Sequence, residues 1–355
     1  MGLKLTSRSV VSGLVFLGML AGFMTILASC SRQSQNVKTV SISNVDPRRD
    51  VNGQIVDAHG GCVQFFNGRF YLYGNAFGTN HNDIFFNCPF AVYSSPNLVD
   101  WKLEGYLLKD APKGVYYRPY VVFNPRTKKY VLWYNWYPTL WKGQAGVAES
   151  DSPIGPFVVV RPKASISASS SGDGSLFVDD DGTGYYIYTD LAKDYSVHVD
   201  RLTPDFLDSS GTISGLVATG AEAPLLIRRN NFYYVLCGPL CSDCPNGSEV
   251  HVFVSSSPLG PFHTNPSLNI NTEIITTNAV TATAPFIHAQ ETWVLKIPAA
   301  GDSLYIWMGD RWRDNTDGLI AHDSQYWVPL DFNINGQILP LKKISGWSID
   351  WSVGQ

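Results

Sequence analysis

Asn67-Gly68-Arg69-Phe70-Tyr71-Leu72-Tyr73 runs a tight polar turn straight into a burst of aromatic and aliphatic side chains. The unit recurs. Lys128-Lys129 precedes Tyr130-Val131-Leu132-Trp133, and Asp181-Gly182 precedes Tyr185-Tyr186-Ile187-Tyr188. Asn230-Asn231 leads to Tyr233-Tyr234-Val235-Leu236, and Gly301-Asp302 to Leu304-Tyr305-Ile306-Trp307. From Phe70 to Tyr130, Tyr185, Tyr233 and Leu304 the steps are 60, 55, 48 and 71 residues. Each step holds one small antiparallel sheet. One such sheet cannot bury both of its faces, so it must pack on its neighbours. Five units therefore predict an all-β, five-bladed β-propeller, a single domain over residues 45–355.

A second element follows several bursts. It reads Ser94-Ser95-Pro96-Asn97-Leu98, Ser152-Pro153-Ile154-Gly155-Pro156-Phe157 and Ser257-Pro258-Leu259-Gly260-Pro261-Phe262, with a degenerate copy at Leu202-Thr203-Pro204-Asp205-Phe206. Pro and Gly at these offsets are turn chemistry and are expected to close the outer hairpin of a blade. The acidic run Asp179-Asp180-Asp181 reads as the turn of blade three.

Composition narrows the function. Of 355 residues, 45% are hydrophobic, 13% aromatic and only 16% charged, with a net charge of -4. No run of Lys and Arg supplies the positive footprint that nucleic acid requires, so none is expected as a partner. Low charge with many Trp and Tyr suits a neutral, hydroxyl-rich ligand. No cofactor is expected, and a monomer is.

Residues 1–31 are read as a signal peptide or membrane anchor. Lys4 and Arg8 precede an uncharged stretch from Ser9 to Ser31, long enough to cross a bilayer as a helix. Leu27-Ala28-Ser29-Cys30 also resembles a lipoprotein cleavage box. All three readings place the propeller outside the cytoplasm, secreted or tethered to the membrane by this segment alone. Residues 32–44 read as a polar tether. Five cysteines follow: Cys62, Cys88, Cys237, Cys241 and Cys244. In an exported chain they read as disulfide partners rather than metal ligands, with one thiol left over.

The first strand of a propeller blade begins near the axis, so chemistry is sought just before each blade. Five polar constellations stand there. They are Asp57-Ala58-His59-Gly60-Gly61, Tyr116-Tyr117-Arg118-Pro119, Ser171-Gly172-Asp173-Gly174, Ala221-Glu222-Ala223-Pro224 and His288-Ala289-Gln290-Glu291-Thr292-Trp293. Glu222 sits among small apolar residues, where a carboxyl keeps its proton near neutral pH and can act as a general acid. Asp173 is placed to steer that acid electrostatically.

Taken together, Ala58-His59-Gly60-Gly61, Arg118-Pro119, Glu222-Ala223-Pro224, Ala289-Gln290 and Gly309-Asp310-Arg311-Trp312 resemble glycoside hydrolase family 43 over residues 51–351. The likeness is nearest to the branch of exo-β-1,3-galactanases. It implies hydrolysis of glycosidic bonds with inversion, with Glu222 in the acid position. The blade-one aspartate that serves most of the family as base is missing, and His59 stands near its place. Gln290 matches the glutamine of the galactanase-like branch, with Asp57 as the alternative base. Tyr117 replaces the glutamate that precedes Arg-Pro in that branch.

Aromatic rings supply platforms for the apolar faces of sugars. Trp133, Tyr134, Trp136, Tyr137 and Trp141 crowd the segment after blade two, and Trp312 and Trp327 come late. Trp136 and Trp312 are the expected ligand contacts, with His59, Tyr117, Arg118 and Asp310 as further substrate-binding residues. The expected function is cleavage of a neutral polysaccharide or glycan side chain, of β-galactoside or arabinose and xylose type. A glycan-binding propeller without catalysis is the alternative, motivated by the missing aspartate and by Tyr117.

Overall fold

Each aromatic burst becomes the second strand of a blade. The computed structural model describes residues 37–79, 87–109, 113–139, 142–241, 244–277, 280–298 and 303–352. The N-terminal segment 1–31 with Cys30, Trp141 and the Gly301-Asp302 turn lie outside the described residues.

After β1 (Val37–Ser43), blade one is β2 (His59–Phe66), β3 (Arg69–Asn75), β4 (Phe90–Ser95) and β5 (Lys102–Tyr106). Blade two is β6 (Val115–Asn124), β7 (Lys129–Tyr137), β8 (Gln144–Ser150) and β9 (Val158–Arg161). Blade three is β10 (Ser171–Val178), β11 (Gly184–Asp190), β12 (Ser196–Leu202) and β13 (Ser209–Ile213). Blade four is β14 (Ala221–Arg229), β15 (Phe232–Pro239), β16 (His251–Ser255) and β17 (His263–Asn269). A separate hairpin, β18 (Glu273–Thr277) and β19 (Val280–Ala284), leads into blade five. That blade has three strands, β20 (Gln290–Ile297), β21 (Leu304–Arg311) and β22 (Ser324–Pro329), and β23 (Gly346–Ser352) follows. Within the blades all strand pairings are antiparallel and sequential, so the topology is five consecutive meanders.

The second strands are buried on both faces because each blade is covered by a neighbour on either side. Tyr73, Trp133, Tyr188, Val235 and Trp307 are all essentially inaccessible. Their hydroxyl and indole groups reach across the seams: Tyr73 Oη donates to Pro153 O at 2.8 Å and Trp133 Nε1 to Phe206 O at 2.7 Å. Both acceptors lie in the Pro- and Gly-bearing turns, which do join third to fourth strands. The acidic run is also a turn, and Asp179 takes Arg228 Nη1 and Tyr233 Oη from blade four.

One sequence expectation is corrected. The second half of the presumed tether is β1, which pairs with β23 from Val37–Ser352 to Ser43–Gly346, so the folded unit begins at Val37 rather than at 45. Thr39, Ser41 and Ser43 face outward while Val40 and Ile42 are buried. The segment after β1 closes the ring. Asn44 is buried and makes a two-way amide pair with the backbone of Trp327 on blade five, at 2.9 Å each way. Asp50 bridges to Trp101 of blade one, and Trp101 meets Trp327 edge to face with centroids 6.1 Å apart.

Removing the Asn44 amide strands the buried Trp327 N–H, while Trp327 O keeps the Trp347 indole N–H at 2.7 Å. Asn44→Ala is expected to lower unfolding stability by about 1–3 kcal/mol, the cost of one orphaned buried group. Urea unfolding checks this, and an unchanged midpoint would contradict the closure role of Asn44.

Candidate active site

The five first strands pack in a closed ring, β2 on β6, β6 on β10, β10 on β14, β14 on β20 and β20 back on β2. All five break register with their second strands near their start. The slips fall between His59 and Cys62, Tyr117 and Tyr120, Ser171 and Gly174, Glu222 and Leu225, and Glu291 and Trp293. A bulge bends a strand and re-aims side chains. Here it does so at the residues the sequence singled out. Gly60, Arg118 and Ala223 adopt positive φ of 67°, 54° and 53° within these bulges. For Arg118 and Ala223 that is a costly conformation, held by the contacts around it.

Those contacts centre on Arg118. Its guanidinium is buried; Nη2 donates to Asp173 Oδ2 at 3.0 Å and Nη1 to the backbone O of Glu291 at 3.1 Å. Burial works against the charge of Arg118, but the neighbouring Asp173 outweighs it and the guanidinium stays charged. Asp173 Oδ2 also accepts the N–H of Ala223 at 2.9 Å, which fixes the backbone beside Glu222.

Glu222 Oε1 accepts from Gln290 Nε2 at 2.8 Å and from the Cys241 N–H at 3.3 Å. Gln290 is itself fixed, because its Oε1 accepts the Trp312 indole N–H at 2.9 Å. An indole can only donate, so the amide oxygen must face Trp312 and the amide NH2 must face Glu222. Among the described residues nothing bonds Glu222 Oε2, which is left to carry a proton. Burial first, and then the Asp173 charge, push the Glu222 carboxyl up to about 8, against the opposing pull of Arg118. At neutral pH the group is therefore a neutral acid.

The structure thus brings Asp173, Arg118, Glu222, Gln290 and Trp312 into one chain of contacts. Four other expectations change. Asp57 is spent on the backbone, taking the N–H of Phe77 at 2.9 Å and of Gly78 at 2.7 Å. His59 is fully buried, so it cannot touch substrate. Its ring lies 3.7 Å from Asp57 and 3.8 Å from Asp310, too far for hydrogen bonds. Burial opposes its imidazolium, but Asp310 and then Asp57 push its pKa up to about 9. Asp310 is buried and takes the Gly60 N–H, which ties blade five to blade one instead of holding a hydroxyl. Trp312 is 8% exposed, packed on Phe77 and His59, and orients Gln290 rather than offering an open platform.

Tyr117 and Trp136 remain half-buried at the blade-two entrance. The Tyr117 hydroxyl meets that of Tyr137, and the Trp136 ring lies over Tyr116 at 6.4 Å with no partner for its N–H among the described residues. Tyr134, Trp133 and Trp327 are core.

Two neighbours of the acid were missed. Glu291 is fully buried, with neither carboxylate oxygen hydrogen-bonded, and burial pushes it up to about 8. Its only sequence signal was adjacency to Gln290. Cys241 and Cys244 form a disulfide whose sulfurs lie 3.0 and 3.4 Å from Glu222 Oε1. Cys62 and Cys237 are buried thiols outside any disulfide, two where one was expected.

The family model described as glycosyl hydrolases family 43 matches residues 67–284. The chain belongs to this family. Among curated proteins, an arabinoxylan arabinofuranohydrolase of Bacillus subtilis (strain 168) is 31% identical over 152 residues, covering 34% of this chain and 28% of the relative. A solved GH43 β-1,3-galactosidase superposes with a TM-score of 0.73 at 25% identity, covering 87% of this chain and 64% of that one. An exo-β-1,3-galactanase from Clostridium thermocellum superposes with a TM-score of 0.74 at 24% identity, covering 89% and 68%, a likeness of fold. The chain thus spans less than a third of the curated relative's length and about two thirds of the galactosidase's. The five-bladed architecture is that of the family.

Glu291 gives a pH prediction. Its carboxyl is neutral in the fold up to about 8 but ionises near 4.5 when unfolded. The unfolded state therefore gains as pH rises from 4.5 to 8, and stability is lost across that window. Glu291→Gln, which cannot ionise, is expected to melt close to wild type at pH 5 and clearly above it at pH 8. Calorimetry at the two pH values checks this; a gap that does not widen would contradict it.

Proposed function

We propose that this protein is an exported inverting glycosidase of family 43 that hydrolyses neutral glycans, with Glu222 as general acid. The observation that carries the reading is the Glu222 carboxyl itself. Burial and Asp173 push its pKa up to about 8, Gln290 and the Cys241 N–H hold it at Oε1, and Oε2 is unbonded among the described residues. Proton donation to a leaving glycosidic oxygen needs a neutral carboxyl at working pH, aimed by fixed contacts.

The base side is unlike the usual pair of carboxylates. Asp57 is committed to two backbone N–H groups. Gln290 is a neutral amide whose oxygen takes the Trp312 indole and whose nitrogen donates to Glu222, so it aims the acid rather than taking the water's proton. Asp173 is the nearest ionised partner of this set and supplies the negative field. β-Galactoside is the preferred substrate class, because the galactosidase likeness runs over 87% of the chain and the arabinofuranohydrolase likeness over 34%. Tyr117 and Trp136 offer ring surface at the blade-two rim for a bound sugar. Export is supported by the apolar N-terminal stretch and by the Cys241–Cys244 disulfide.

Glu222→Gln is expected to lower turnover of β-1,3-galactan or an aryl β-galactoside by about 10²–10⁴-fold with the circular dichroism spectrum unchanged. Proton NMR of the first-formed product is expected to show the inverted anomer. For the wild type, kcat/KM should fall as pH rises through about 8, where the acid loses its proton. Full activity in the variant would remove Glu222 from the acid role. Sugar binding with no release of reducing ends would favour the non-catalytic reading.

A further inference from the structure

We propose that reduction of the Cys241–Cys244 disulfide opens a site for a soft divalent cation of the zinc class, built from both thiolates and the Glu222 carboxylate. The ligand atoms of these three residues lie within 4.8 Å of one another. Two cysteines separated by two residues make the usual bite for such an ion. Glu222 completes a three-ligand face, and three protein ligands with an open fourth position is the arrangement of an accessible metal rather than a sealed structural one. The disulfide as it stands carries no S–H, so its sulfurs only touch Glu222 Oε1 at 3.0 and 3.4 Å. Freed as thiols, both would point donors, and as thiolates two soft ligands, at that same oxygen.

The remaining cysteines of the described fold do not compete. Cys62, Cys88 and Cys237 are buried, and burial pushes Cys62 up to about 12 and Cys237 higher still. Cys241 is half-buried, open to a small reductant.

The chemistry balances with a water-soluble phosphine as reductant. Phosphine, water and the disulfide give phosphine oxide and two thiols. The cation then displaces one proton from each thiol and the proton of Glu222 into the buffer. This inference rests on the assignment of Glu222 as the acid only for its consequence, that a metal-held carboxylate has no proton to give and turnover stops.

The test uses the purified full chain and cadmium ion, whose thiolate complexes absorb in the ultraviolet. Before reduction no thiolate band from this pair is expected. After phosphine treatment one cadmium per chain should bind with a two-thiolate band. That increment should be absent in the Cys241→Ser/Cys244→Ser double variant, whose comparison also subtracts Cys30. It should equally be absent in reduced wild type alkylated with iodoacetamide at these two positions, as located by mass spectrometry, which keeps the test valid if the double variant misfolds. Glu222→Gln should weaken binding about tenfold or more. No band after reduction, or the same band in double variant and alkylated protein, overturns the site. Cadmium binding that leaves turnover intact keeps the site and removes Glu222 from the acid role.

Discussion

One buried guanidinium organises the functional end of this propeller. Arg118, on blade two, reaches Asp173 on blade three and the Glu291 carbonyl on blade five, and Asp173 in turn holds the Ala223 N–H on blade four. Removing one partner of such a buried pair costs about 3–5 kcal/mol, because the charge left behind has neither water nor counter-ion. The same contacts hold the left-handed backbone of Arg118 and Ala223 in place. Strain at these positions is local; what fixes it is spread over four blades.

The chemistry follows from an imbalance of charge around that cation. Arg118 faces Asp173, Glu222 and Glu291, three carboxyls in one dry neighbourhood. The one positive charge is paired with Asp173, and burial pushes both glutamates up to about 8. Of the two, Glu222 has hydrogen-bond partners at one oxygen and none at the other among the described residues, which is what the proposed acid role requires. The Glu291 carboxyl has no hydrogen-bond partner among the described residues and serves as neutral packing. Trp312 and Gln290 act in series: the indole fixes the amide, and the amide fixes the carboxyl. The disulfide adds a hydrophobic edge on the same oxygen, so the acid sits between an amide, a peptide N–H and two sulfurs.

Much of this was legible in the sequence, for identifiable reasons. The bursts at Phe70, Tyr130, Tyr185, Tyr233 and Leu304 announce second strands because only strands covered on both faces carry so many large side chains in a row. Burial of the Glu222 carboxyl was legible because a carboxyl among alanines and a proline has little to solvate it. The strand Val37–Ser43 was not, since its outward positions are Thr and Ser and its partner is some three hundred residues away. His59 at the start of blade one, and Asp310 and Trp312 at the end of the second strand of blade five, were read as ligand contacts but face the protein. Whether such a side chain faces the funnel or the seam between blades is set by the bulge beside it, and a bulge leaves no mark in composition. Asp57 was misassigned for a related reason. Its partners are the peptide groups of Phe77 and Gly78, and the sequence does not say which backbone N–H groups a loop leaves bare.

The central claim is that the fold holds the Glu222 carboxyl neutral through the physiological range. Infrared difference spectroscopy of wild type against Glu222→Gln isolates the carboxylic C=O band of this one residue and can be followed with pH. The account predicts a band that persists at neutrality and disappears as pH rises through about 8. A band lost near pH 4 to 5, where an ordinary exposed glutamate ionises, would contradict it.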